Sequence, residues 1–309
     1  MNRNFILRLY ENDNLVEEKG CLALSMEREA YTPYNEITAT FCSQGRDYGR
    51  VNKVALFMDS KELCFFEGLA DSVTQYRKNA ASFVRIHAKS FTSVLTQNEI
   101  EPGMHSNLTM EQLMTGFYTF PGVKYQNYDG TGYIFVRDGT SMWDSIANFA
   151  YKLTGHYPFV QNNTVMLLPE TDAVLHTVTQ ALEYGTITDH TRLISHYHME
   201  DIAGNYNAYS LENTLASEVN IVRHKQLSFD KQYLYAPEEA LKFRCLYSDR
   251  GCRGKYVVYD GFDNEHVGEK LTFGSFLQNA VIGRVKLTAG AGGVRTKLWA
   301  YDDGFYHID

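Results

Sequence analysis

The chain holds little with which to cross-link itself. Its 309 residues include 5 cysteines, Cys21, Cys42, Cys64, Cys245 and Cys252. The number is odd and no CxxC pair occurs, so a disulfide framework and a zinc ribbon both lack their residues. On one helix Cys245 and Cys252 would sit ~10 Å apart along the axis, beyond the reach of a bridge. The expectation is small apolar side chains, buried, in a reducing compartment. Long apolar runs are missing too: none approaches the ~18–20 residues of a membrane span. The opening stretch MNRNFILRLYENDN turns acidic and polar too early for a secretory signal, so nothing targets the chain out of the cytoplasm. Positive charge is also short. A net charge of −8 argues against a non-specific grip on nucleic-acid phosphates.

What is present is apolar and aromatic. Hydrophobic residues make up 44% and charged residues 21%, a balance that excludes disorder. The 22 tyrosines and 18 phenylalanines against 6 prolines favour strands. The length fits about two domains. No repeat of fixed period and no low-complexity linker is visible.

Residues 1–97 read as short strands: 37–42, 51–58, 63–66 continuing through Gly68 into 70–76, and 82–91. In the last, Val84, Ile86 and Ala88 alternate with Arg85, His87 and Lys89, which predicts one buried and one solvated face. A subunit contact is the alternative use of that basic row. From Thr92 the pattern changes. Thr109 is placed as the N-cap of a helix with Met110, Leu113, Met114 and Phe117 on one face. Residues 138–169 then carry the strongest pattern in the chain. Ser141, with Asp144 three positions on, predicts a capping-box variant. Met142, Ile146, Phe149 and Leu153, widened by Trp143, Ala147 and Ala150, form a broad apolar face; Gly155 and Pro158 end the helix. A hairpin about Asn162-Asn163 follows, with strands at 159–161 and 164–168. Beyond residue 170 the prediction is strands at 173–179, 191–198, 218–224, 232–235, 255–259, 270–273, 281–287 and 295–301. One helix starting at Pro237 interrupts them. The fold class expected is α+β, mainly β: a barrel-like antiparallel domain over 1–97, a small α/β insert over 98–170 and a second barrel-like domain over 171–309.

Chemistry is hard to find. His190, His196, His198, Glu200 and Asp201 form a histidine–carboxylate cluster of the type that binds zinc, but no H-E-x-x-H accompanies it. The glycine-rich 287–296 lacks a phosphate-loop lysine and a following helix, so it reads as a strand connection. No G-x-S-x-G occurs, and Glu99 and Glu101 merely flank a turn. No catalytic, cofactor-binding or metal-ligating residue is assigned, no cofactor is expected, and the chain reads as a non-enzyme.

Two resemblances remain. VRDGTSMWDSIANFAYKLTG resembles the start of a LysM glycan-binding module, but a hairpin stands where the second LysM helix belongs. Over about 80–169 the stretches RIHAKSFTSVLTQNEIEPGM, NLTMEQLMTGFYTFPGV and VRDGTSMWDSIANFAYKLTGHYPFVQNNTVMLLP resemble hub proteins of phage tails and contractile injection systems, with the layout of PBSX-type prophage tails. That resemblance implies a structural part, a homotrimeric ring with two barrel-type domains per chain and therefore pseudo-sixfold symmetry. Such a ring joins the sixfold tail tube to the threefold central spike and surrounds the channel. The implied partners are further copies of the chain, the tube, spike and other baseplate proteins, and the tape measure protein. The implied location is the tail particle, assembled in the bacterial host cytoplasm. Three chains carry 3 × −8 = −24 charges, which disfavours adhesion of DNA to the ring. The alternative is a tail protein that binds or degrades cell wall.

Overall fold

Alternating apolar and polar residues in the first hundred positions produce seven antiparallel strands. They are β1 (Phe5–Glu11), β2 (Asn14–Gly20), β3 (Ala23–Glu29), β4 (Glu36–Ser43), β5 (Lys53–Met58), β6 (Leu63–Lys78) and β7 (Ala81–Ser90). The structure is a computed structural model that describes residues 5–43, 45–58 and 63–302. On β7 the inward set Val84, Ile86 and Ala88 is fully buried. Its basic row is matched within the chain, Lys89 reaching Asp71 at 3.0 Å and Arg85 lying over the Tyr76 ring. The two strands expected at 63–66 and 70–76 are one long strand, β6, whose register shifts between Ala70 and Ser72. Gly68 lets it continue, because a Cβ there would meet the Lys89 carbonyl oxygen at 2.0 Å.

The middle of the chain contains β8 (Gly103–Leu108), α1 (Met110–Thr115), β9 (Lys124–Tyr125), β10 (Gly132–Val136), α2 (Met142–Thr154), β11 (Phe159–Gln161) and β12 (Thr164–Met166). The expected helix starts are both present. Thr109 and Gln112 form a full reciprocal capping box (Gln112 N to Thr109 Oγ1 3.1 Å, Thr109 N to Gln112 Oε1 2.9 Å). At α2 the Ser141 Oγ accepts from Asp144 N at 3.1 Å, while the Asp144 carboxylate takes the Ser141 hydroxyl at 2.6 Å. Gly155 closes α2 in the left-handed conformation, φ 75°. Asn162 and Asn163 turn the hairpin at φ 46° and 61°. The buried face of α2, Met142, Trp143, Ile146 and Phe149, shares one core with Leu113 and Met114 of α1 and with Phe159 and Val165.

The last part holds β13 (Leu175–Thr177), β14 (Glu183–Thr188), β15 (His196–Met199), β16 (Tyr209–Glu212), α3 (Thr214–Glu218), β17 (His224–Leu227), α4 (Pro237–Asp249), β18 (Arg253–Asp260), β19 (Lys270–Phe273), β20 (Leu277–Gly290) and β21 (Gly293–Tyr301). Two expected strands are replaced. Asn213 caps α3 by accepting from Leu215 N, and Asn220 adopts φ 56°, so 218–224 cannot run extended. At 232–235 a 3-10 turn takes the place of the strand, with the Asp230 carboxylate accepting from Gln232 N. The glycine-rich segment is the tight β20–β21 connection, Gly290 facing Gly293.

The two strand-rich ends are not separate sheets. β3 pairs with β20, Met26 opposite Leu287, so one sheet of 13 strands runs β14-β18-β21-β20-β3-β4-β7-β6-β5-β1-β2, with β19 on β20 and β13 on β19. The fold is thus mainly β with few helices, as expected. No ladder among the described residues closes either end of the path into a barrel. One core runs through it, with Leu7, Met26, Leu56 and Ile86 from the first strands packed together with Val257, Leu271, Val285 and Leu298 from the last. Arg28, 1% exposed, crosses the same junction: its guanidinium donates to the Phe65 carbonyl at 2.7 Å, to Asn264 Oδ1 at 3.1 Å and to the Glu265 carbonyl.

Candidate functional site

The histidine cluster is assembled differently from its spacing in sequence. His196 and His198 project from one face of β15, and the parallel neighbour β17 adds His224 directly opposite His196. His224 stacks on His196 at 4.4 Å and on His198 at 5.4 Å, with His198 Nε2 and His224 Nδ1 at 3.1 Å. Near-parallel rings aim their nitrogens side by side, whereas a metal needs them to converge. Glu200 instead accepts from Phe229 N at 3.2 Å. Asp201 closes its own turn by accepting from Ala203 N and Asn205 N, and the Asn205 hydrogen bonds hold its carboxyl below the ordinary range. His190 lies outside the stack, in the loop before β15, where its carbonyl accepts from Arg223. Among the described residues no three His, Cys, Asp or Glu side chains could hold a metal ion.

The cysteines are free. Contrary to expectation only Cys252 is fully buried, and Cys42 and Cys64 are exposed, because their strands turn those positions outward. Burial pushes the Cys21 and Cys245 thiols up to about 12, away from the thiolate that a nucleophile needs.

A concavity of about 820 Å³ opens where the middle segment meets the α4 region. The turn that starts α2 forms one rim, through Gly139, Thr140 and Asp144; Phe243, Tyr247 and Arg250 from α4 and its end form the opposite wall. That turn starts a packed helix, as its sequence predicts, and Trp143 is buried, its indole N–H 3.3 Å from the Tyr157 hydroxyl. The cleft itself is not legible in the sequence, because its other wall is supplied by residues 99 to 111 positions further along. Tyr157 stacks on Phe243 at 5.9 Å and 17° and meets Tyr247 at 5.4 Å, giving an aromatic floor.

Charge in the cleft runs against the chain as a whole. Five cations line it, Arg137, Arg192, Lys225, Arg244 and Arg250, against two carboxylates, Asp144 and Asp230, a local balance of 5 − 2 = +3. Asp230 is held from both sides, by Arg244 at 2.8 Å and Arg137 at 3.3 Å. Arg250 lies 3.4 Å over the Tyr247 ring, and its Nε is buried without an acceptor. Burial, together with the nearby charge of Arg192, pulls Arg250 below the ordinary arginine range. Behind the cleft Lys152 donates to the Tyr133 carbonyl and to Gln232 Oε1, both at 2.8 Å, and burial lowers its ammonium to about 7. Gln232 also receives Phe135 N at 2.8 Å, so its side chain does for β10 what a neighbouring strand would.

No protein-family model matches the sequence, and no curated protein does. Solved structures match its fold along almost the whole length. A tail protein from Neisseria meningitidis superposes with a TM-score of 0.73 at 11% identity, covering 99% of this chain and 98% of that one. The chain has the fold of phage tail proteins. The 43 kDa tail protein of a Shewanella oneidensis prophage gives a TM-score of 0.71 at 11% identity over 99% and 100% of the two chains. A type VI secretion system component from E. coli, itself similar in structure to T4 tail proteins, gives 0.57 at 8% identity over 98% and 79%. At these identities the fold is shared although most of the side chains differ.

Proposed function

We propose that the chain is a structural component of a phage or phage-like tail, the hub of its baseplate. The observation that carries this is the end-to-end fold likeness to the Neisseria and Shewanella tail proteins. In the proposed assembly three copies form a ring, and the β1–β7 and β13–β21 portions of each supply six strand-rich units around the axis. Such a ring matches a sixfold tail tube on one side and a threefold spike on the other, and encloses the channel. The sheet supports ring closure because its path ends at β2 and β14, each with a single ladder partner among the described residues. Exposed Leu182 and Tyr184, at 55% and 57%, lie before and on β14 and give that edge apolar surface to bury. The role is mechanical: the raised thiols and the carboxylates tied into turns fit a part that positions its neighbours and catalyses nothing. The tube, spike and remaining baseplate proteins are the proposed partners, and the tail particle the proposed location. Imaging of isolated particles tests this. Three copies between tube and spike are expected; absence of the chain from purified baseplates overturns it.

A further inference from the structure

We infer that the cleft between the start of α2 and the end of α4 is a binding site for a short acidic peptide segment, carrying aromatic side chains, of a partner protein. The inference stands on the chemistry of the cleft and does not depend on the tail role. Among the described residues Arg192 and Lys225 make no hydrogen bond or ion pair through their side chains, although both border the cavity. Glu29, whose charge reaches Arg192 and Arg250, is itself paired with Arg284 at 3.6 Å. Asp189, whose charge also reaches Arg192, accepts from the Thr191 N–H and hydroxyl. Two cations therefore border the cavity without a carboxylate paired to them, and the Nε of their neighbour Arg250 has no acceptor.

The cleft already shows how it takes a carboxylate, since Asp230 sits between Arg137 and Arg244. Half-buried Phe243 and exposed Tyr247, with buried Tyr157 behind them, line the cleft with aromatic carbon against which a ring can pack. A volume of about 820 Å³ holds a few residues and excludes a folded domain. A long polyanion such as nucleic acid would meet the field of the whole chain, at −8, beyond the cleft mouth. A short peptide stays within the local positive field, since screening cuts longer-range forces over about 8–10 Å.

The test is fluorescence polarisation of the full chain with a labelled hexapeptide EYEEFE, its neutral counterpart QYQQFQ and a short oligothymidine. The acidic peptide is expected to bind and the other two are not. Arg192→Glu with Lys225→Glu should weaken that binding by about tenfold or more, and Arg192→Ala with Lys225→Ala by less. Lys78→Glu, far away at the β6–β7 turn, should leave it unchanged. Both cations are surface residues, so melting curves of the variants should overlay that of the parent. Equal binding of QYQQFQ, binding of oligothymidine in place of the peptide, or full affinity in the alanine pair each overturns the inference.

Discussion

Arg28 is a buried cation held by three acceptors. Burial lowers its guanidinium to about 10, opposed by the charges of Glu265 and Glu269, so it stays protonated at neutral pH with three protein acceptors. Arg28→Ala would leave those acceptors unpaired and remove a cation from beside the buried Glu265 and Glu269 carboxyls, leaving His176, 2.7 Å from Glu269, to face them. Urea unfolding should show a loss of about 3–5 kcal/mol, and Arg28→Met should remain destabilised although its volume is restored. Lys152 is lowered by burial in the same sense, but into a range that ordinary buffers reach. Its folded value of about 7 lies below the ordinary 10.5, so between those values the unfolded chain binds more protons and stability rises with pH. Below about 7 both states are protonated and the burial cost is fully present. Comparing melting temperatures of the parent and Lys152→Met at pH 6.5 and pH 9.5 isolates this, and the parent should gain relative to the variant at the higher pH. Trp143→Ala should cost about 3–5 kcal/mol, the usual loss for an aromatic truncated in a packed core.

At the scale of elements, local chemistry decided what could be read in advance. α2 was legible from Ser141, Asp144, the apolar stripe and Gly155 because each acts within four residues of its partner. Gly155→Ala must hold a Cβ at φ 75° and should lower the melting temperature by the equivalent of about 1–2 kcal/mol, measured by thermal circular dichroism. β7 was equally plain from its alternation. The run 218–224 looked like a strand by composition, but the Asn213 cap and the Asn220 left-handed residue overruled that preference. Gln232 escaped because its partner is the Phe135 backbone, 97 residues earlier. His224 escaped for the same reason, since only the β15–β17 register sets it against His196. The cleft combines both difficulties: its rim is a recognisable turn, but its positive character emerges only when α4, β17 and the loop before β15 are brought together.

For the whole molecule the decisive contact is β3 with β20. Sequence patterning showed two strand-rich ends and could not show that they fuse, because a β-ladder leaves no trace in the spacing of either strand. A fragment of residues 1–97 therefore loses more than its neighbour: β3 gains a bare edge, and Met26 loses Val285 and Leu287 from the shared core. Such a fragment is expected to self-associate, and a monodisperse monomer in light scattering would contradict the single-sheet reading. The same junction sets a timetable for synthesis. Arg28 and Glu265 are 237 positions apart, so at roughly 5–20 residues per second the ribosome delivers the closing strand about 10–50 s after the first. Through that interval the nascent chain displays an unpaired strand beside apolar side chains, which makes it a client for holding chaperones and makes premature termination more hazardous than its position in the gene would imply.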